Sequence, residues 1–343
     1  MAKKYRVAVA GLVHDHIWSV LKSFAEHPQV DLVGAADPNP PLLDQVKRQA
    51  GIDEHFHDVT EMLDKVKPDI VLVYTDNASG ADVVEAAAER GIHAVVEKPM
   101  AATLEQADRM LMAAEKHGTY LMINWPIAWN ASYRHAFKLA KEGDVGHIWH
   151  VRHHSSHEGP REIGCSQYFW EWLYDKRRNG AGALIDYCSY GAVINSYLLG
   201  RPNAVTGVAG RFVKTDIAVD DNAVLILKYP HAVGLTEGSW TQVGYVPYGL
   251  LINGIEGALV VGHDKRLLRT DRKNIHGVEL DVPPVPDGER NPAEYLIGRI
   301  EKGQPVEGIL NARVSRDAQE ILEAGVISAE TGTAVTLPVF SRR

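Results

Sequence analysis

Apolar residues in the first part of the chain fall into short continuous runs, alternating with stretches of helical spacing. Tyr5 to Gly11, Val30 to Ala36, Ile70 to Tyr74, Ile92 to Val96 and Tyr120 to Ile123 read as strands. Runs of that kind suit a parallel sheet covered on both faces. Between them, His14 to His27 places Ile17, Val20, Leu21, Phe24 and Ala25 at helical intervals. Leu42 to Ala50, Ala81 to Arg90 and the stretch from Thr103 to His117 continue the alternation, closed by Gly91 and Gly118 at the last two C-caps. Strand and helix at βαβ spacing predict a doubly wound Rossmann domain over residues 1–125.

Past Asn130 the period changes. One helix, Ala131 to Lys141, precedes an alternating strand at Ile148 to His154 and a loop from Ser155 to Asn179 rich in His, Gly and aromatics. A helix then runs to Leu199. Ala204–Val213, Asp221–Tyr229, Ala232–Trp240, Leu250–Asn253 and Ala258–Gly262 follow as strands separated by turn signals. That spacing predicts a large open, mainly antiparallel sheet. Helices at Asn291–Glu301 and Ser315–Glu330 and a strand at 335–338 close the chain. The fold class is therefore α/β, with an α+β domain over 126–343 whose closing segments are free to return to the first domain. A broad sheet face has to be covered, which predicts a homo-oligomer, dimer or tetramer.

Composition narrows the partners. The 343 residues are 45% hydrophobic and 23% charged, with a formal charge of -8. No basic stripe offsets that charge, which argues against a nucleic-acid partner. No stretch has the length of a membrane span or of a signal h-region. Cys165 and Cys188 form neither a metal spacing nor a disulfide framework, so a cytoplasmic location is expected.

The carboxyl ends of parallel strands are where ligands bind, and there stand Glu97, Lys98 and Pro99. The proline holds the preceding backbone extended and so aims the lysine. The first βα turn, Gly11-Leu12-Val13-His14-Asp15-His16, keeps one glycine of the G-x-G-x-x-G pattern. Asp37 ends the second strand 26 positions after Gly11, where a carboxylate can accept from ribose hydroxyls. No arginine follows to take a 2′-phosphate, which favours NAD(H) over NADP(H). A strand-end aspartate turning into Pro38 would look the same.

A second chemical stretch runs from Gly180 to Tyr190, small residues leading into a helix on which Asp186 and Tyr190 share a face. With Lys98 nearby, these would make an acid/base set in which the lysine lowers the phenol's pKa. Without a reason for Lys98 to lie near, the better reading is a helix-dipole aspartate and an interface tyrosine. His153 and His154 point to opposite sides of a strand and no H-E-x-x-H occurs, so no metal is expected despite His14-x-His16. Aromatic faces suit the C–H faces of a sugar ring, which makes Trp125, Tyr168 and Trp172, with His154, candidate substrate contacts.

Taken together, the Rossmann order, Glu97-Lys98-Pro99, the Gly180-to-Asp186 helix entry and Ala312-Arg313-Val314-Ser315-Arg316 resemble the Gfo/Idh/MocA family, over nearly the whole chain. The resemblance implies that Lys98 and Asp186 meet around a nicotinamide, with Tyr190 standing where many members carry an acid/base histidine. That substitution is similar to the glucose-fructose oxidoreductase branch. Cofactor contacts implied are Gly11, Val13, His14, Asp37, Thr75, Asn77, Glu97, Lys98, Pro99 and Asn124. Lys98, Asp186 and Tyr190 would also touch the substrate. The activity implied is hydride transfer between NAD and a secondary hydroxyl of a sugar, glycoside or cyclitol. Two other readings are open: transient oxidation of a glycoside by tightly held NAD, and a non-catalytic sugar-binding or regulatory protein whose reduced glycine turn no longer takes nucleotide.

Overall fold

Six parallel strands make the first sheet of the computed structural model, which describes residues 3–339. In chain order the elements are β1 (Tyr5–Ala10), α1 (Ile17–Ala25), β2 (Val30–Ala36), α2 (Pro40–Ala50), β3 (His55–Phe56) and α3 (Val59–Val66). Then come β4 (Ile70–Val73), α4 (Gly80–Glu89), β5 (His93–Glu97), α5 (Leu104–His117) and β6 (Leu121–Asn124). The spatial order β3-β2-β1-β4-β5-β6 puts a topological switch between β1 and β4, where open α/β sheets bind ligands. The helices end as their residues dictate. Thr103 and Gln106 close a reciprocal capping box on α5, and Gly118 ends it in the left-handed region.

The second sheet holds nine strands. After α6 (Ala131–Lys141) come β7 (Ile148–Ser156), α7 (Gln167–Leu173), α8 (Lys176–Asn179) and α9 (Ala183–Leu199). They are followed by β8 (Ala204–Gly210), β9 (Asn222–Lys228), β10 (Val233–Ser239), β11 (Leu250–Gly254), β12 (Gly257–Val261), β13 (Leu267–Asp271) and β14 (Val278–Glu279). Then α10 (Pro292–Lys302), α11 (Ala312–Thr331) and β15 (Val335–Thr336) complete the chain. The order is β14-β13-β12-β11-β7-β10-β9-β8-β15, antiparallel throughout except for β7 beside β10. The fold is thus a Rossmann sheet joined to a large, mainly antiparallel one.

α9 lies on one face of this sheet and is buried along nearly its whole circumference from Ala183 to Ser196. α11 packs beside it and reaches back to α5 and β6, tying the end of the chain to the first sheet. The opposite sheet face carries Val208, Val224 and Ile226, all exposed. The predicted loop at 155–179 contains two short helices, each started by a side-chain cap, from Ser166 on α7 and Asp175 on α8. Their few residues show no sustained apolar period, which is why only caps mark them.

Candidate active site

The β1–α1 turn is built on Gly11. Its φ is +81°, and a Cβ there would sit 2.7 Å from the Thr75 backbone nitrogen, so only glycine fits. Asp37, 1% exposed, accepts the Leu12 N–H at 2.6 Å with one oxygen. Its other oxygen takes the Asn39 backbone and side-chain donors, both at 2.8 Å. Burial pushes the Asp37 carboxyl up, and those hydrogen bonds counter part of the rise. The oxygen that faces Leu12 has a lone pair left over, while the one that faces Asn39 has both engaged.

Asp15 does not point a charge into the turn. Its carboxylate accepts the Ser166 N–H at 2.7 Å and the Ser166 hydroxyl at 2.6 Å, at the start of α7. Trp172 on the same helix donates its indole N–H to the Val13 carbonyl at 3.4 Å. His14 is buried under Phe169 and Trp172, ring centroids 4.6 and 5.5 Å away, and burial holds its imidazole well below the ordinary range. Trp172 therefore seals the turn with its ring fully buried, and Tyr168 stands half-buried on the same helix.

At the end of β5, Lys98 leaves the first sheet and meets α9. Its ammonium donates to Asp186 Oδ1 at 2.7 Å, with both side chains almost fully buried. The Trp240 indole donates to Asp186 Oδ2 at 3.0 Å. Burial pushes Asp186 up, but the Lys98 charge and these bonds outweigh it and hold the carboxyl below its usual value. One helical turn on, the Tyr190 ring lies beneath the ammonium, 4.8 Å from Nζ to centroid. The expectation that Lys98 lowers the phenol is corrected here. The ammonium lies over the ring face with its charge matched by Asp186, while burial and the Asp186 and Glu97 charges push Tyr190 well above 10.0. The phenol is accordingly a donor.

Around this pair, Asn124 donates to Glu97 Oε2 at 2.6 Å and accepts the Trp129 indole at 2.9 Å. Trp125 turns its ring edge toward Tyr190, centroids 5.7 Å apart, and donates to Ser315 Oγ at 3.0 Å. Asn77 donates to Asn179 Oδ1 at 2.8 Å, and Thr75 lines the same loop. Pro99 is buried directly after Lys98. His154 stands apart. Strand alternation sends it to the outer sheet face, where its ring bonds Gln242 at 2.8 Å and lies 3.8 Å from Glu237.

Four further residues sit at the site. Trp240 follows β10, and Tyr187 lies 5.8 Å from the Lys98 ammonium. His157 packs edge-on against Tyr187 at 4.7 Å and accepts the Gly159 N–H at 2.8 Å, and burial lowers its pKa. His153 faces Tyr190 at 6.0 Å and the Tyr133 hydroxyl at 3.2 Å, pushed down to about 3 by burial first and the neighbouring His154 next. The period-2 pattern of β7 does set His153 inward. Tyr187 is carried by α9 beside Asp186, and Trp240 and His157 follow the ends of β10 and β7.

Comparison with known proteins agrees with this fold. Residues 5–125 match the oxidoreductase family NAD-binding Rossmann fold, and residues 133–260 match the GFO/IDH/MocA C-terminal domain. A levoglucosan dehydrogenase of Pseudarthrobacter phenanthrenivorans is 24% identical over 67% of this chain and 65% of its own length. The NAD+-dependent scyllo-inositol 2-dehydrogenase of Bacillus subtilis is 24% identical over 76% of this chain and 75% of its own. A solved levoglucosan dehydrogenase in complex with NADH and levoglucosan superposes with a TM-score of 0.83 at 22% identity, covering 98% of this chain and all of that one. That likeness establishes the fold.

Proposed function

Because the chain belongs to the Gfo/Idh/MocA family of oxidoreductases, we propose that the site where Lys98 meets α9 transfers hydride between NAD(H) and a secondary hydroxyl of a sugar, glycoside or cyclitol. The observation that carries this reading is the buried Lys98–Asp186 pair, which spans the two sheets directly above the Tyr190 ring. The family relatives act, by name, on levoglucosan and on scyllo-inositol, which supports a polyol.

The residues fit a dinucleotide. Gly11 permits the tight turn, and the start of α1 offers backbone donors and the positive end of its dipole. Asp15, which would repel a phosphate, is turned to Ser166. Asp37 would accept from the ribose, and no cationic side chain follows it, hence NAD(H) before NADP(H). Val13, His14, Thr75, Asn77, Glu97, Pro99 and Asn124 would line the rest of the cofactor's path. Bound NAD supplies the hydride acceptor. The protein's own part is to orient and to move one proton. In the carbonyl-reducing direction the Tyr190 phenol would give its proton to the substrate oxygen as hydride arrives at the carbon, and in the reverse direction the resulting phenolate would take the hydroxyl proton as hydride leaves. Asp186 fixes Lys98 and offers its remaining acceptor capacity to a substrate hydroxyl, while half-buried Tyr168 presents apolar surface to the ring and fully buried Trp125 backs Tyr190.

One observation favours a second reading, transient oxidation with NAD that does not leave. Asp15–Ser166 and Val13–Trp172 clamp α7 over the turn, which would slow exchange. The first experiment separates these readings. Denatured protein is searched for released nucleotide by mass, and stripped protein is titrated with NADH and NADPH by tryptophan fluorescence. Copurified NAD without net NADH release on any polyol marks the second reading. Free exchange with NADH production marks the first. Absence of nucleotide and of any response overturns both and leaves a sugar-binding role.

We further propose a cytoplasmic homo-oligomer, dimer or tetramer. The described cysteines are free, and among the described residues no helix is long and apolar enough to cross a membrane. The exposed apolar face of the second sheet is where a second copy would sit.

A further inference from the structure

His14, His16 and Glu97 converge at the β1–α1 turn, and hydride transfer as proposed leaves two of their features unexplained. Each offers one donor atom, and the three donors lie within 4.8 Å of one another. First, Glu97 is a buried carboxylate with no permanent cation. The adjacent Lys98 is committed to Asp186, and the only ion-pair partner of Glu97 among the described residues is the His16 ring, Nδ1 to Oε1 at 2.9 Å. Burying a carboxylate is costly unless a positive charge offsets it. Second, two of the three side chains are already oriented by hydrogen bonds. Asn124 holds Glu97 by donating to Oε2 at 2.6 Å, the carboxylate oxygen not facing His16. His14 Nδ1 accepts the His16 N–H at a long 3.3 Å, which turns the His14 ring toward its neighbour in the cluster. Hydrogen bonds of this kind hold ligating side chains in orientation around a metal ion.

From this geometry we propose that His14, His16 and Glu97 form a binding site for a divalent transition-metal ion such as Zn2+, Co2+ or Fe2+. Two imidazoles and one carboxylate select that class over Mg2+ or Ca2+, which take oxygen shells. Bonds of about 2.0–2.2 Å need donors roughly 3–4 Å apart, a small side-chain adjustment from the spacing seen. Three protein donors leave positions open to water or another oxygen ligand. The ion neutralises Glu97 and takes over, at the third position of the turn, the anion-attracting role that a glycine-lined helix start would have. His16 is half-exposed, so an ion has a route in from solvent.

The test uses the full-length protein, stripped with a chelator and dialysed. Co2+ is titrated while its visible d–d absorption is recorded, and metal content is measured independently after loading with Zn2+. The expected result is saturable binding of one equivalent, with bands of a nitrogen- and oxygen-coordinated ion. His16→Ala and Glu97→Gln should each weaken binding by roughly tenfold or more. His16→Ala removes a half-exposed side chain, and circular dichroism checks that it is folded. No saturable Co2+ or Zn2+ binding, or equal affinity in folded His16→Ala protein, overturns the site. The readout needs neither NAD nor a sugar, so it stands or falls separately from the dehydrogenase reading.

Discussion

Tyr190 is the side chain on which turnover should depend most. Its phenol is held protonated by burial and by two carboxylates, so the proton it shares with substrate is lost in Tyr190→Phe. Turnover should fall about 10²–10⁴-fold with NADH affinity unchanged, read from steady-state rates and fluorescence titration. Equal rates would remove Tyr190 from the mechanism. Lys98→Met leaves Asp186 charged and unpaired in a dry site, at a cost of about 3–5 kcal/mol in urea unfolding. His153 predicts a pH dependence. Its pKa is about 3 when folded against an ordinary value near 6.5, so the unfolded chain binds the extra proton between those limits. Stability is full above about pH 6.5 and falls on acidification, by up to about 1.4 kcal/mol per pH unit from this group. Buried His14 and His157 act in the same direction. Urea midpoints from pH 7 to 4 should drop, less steeply in His153→Gln. Lys98, Asp186 and Tyr190 were legible because a strand-end E-K-P and an i, i+4 pair are local patterns. Their meeting came only through resemblance, since no spacing links positions 88 residues apart. Trp240 and His157 had no pattern at all, being delivered by β10 and the end of β7.

Among the elements, α9 depends most on small residues. Gly182 precedes it where a Cβ would lie 1.9 Å from the Asp220 carbonyl oxygen, a backbone atom that cannot move aside. Asp220 accepts the Gly182 and Leu184 N–H groups at 2.6 and 2.7 Å and so fixes the start of the helix. Gly182→Ala should destabilise by at least about 1–3 kcal/mol, seen as a lower melting temperature, and should shift Asp186 away from Lys98. An unchanged melting temperature would show that the approach is not required. Long periodic elements were readable from sequence to within a few residues. The short ones were not. α3 spans Val59–Val66 behind an Asp58 cap, and β3 and β14 have two residues each, too few for any period to register. Their existence follows from the sheet edges they extend.

At the scale of the molecule, one broad surface is still without a cover. Val208, Val224 and Ile226 line the outer face of the second sheet, alongside a polar group of Arg152, His154 and Glu237. Arg152 and Glu237 form a two-point pair at 2.7 and 3.0 Å, which would fix the register of anything docking there. Ile226→Glu should convert an oligomer to monomers by light scattering with the fold retained. A wild-type monomer at micromolar concentration would refute the interface. The Lys98–Asp186 pair has a consequence for modularity. A nucleotide-binding half that carries its own charges in balance can be cut out and joined to a new partner. This one cannot. Moved alone, it would take with it a buried ammonium whose counter-charge stays behind on another helix, and the other half would keep an orphaned carboxylate. Each half is thus a poor cassette for recombination, and only grafts that supply an aspartate at the start of the receiving helix should yield a folded chimera.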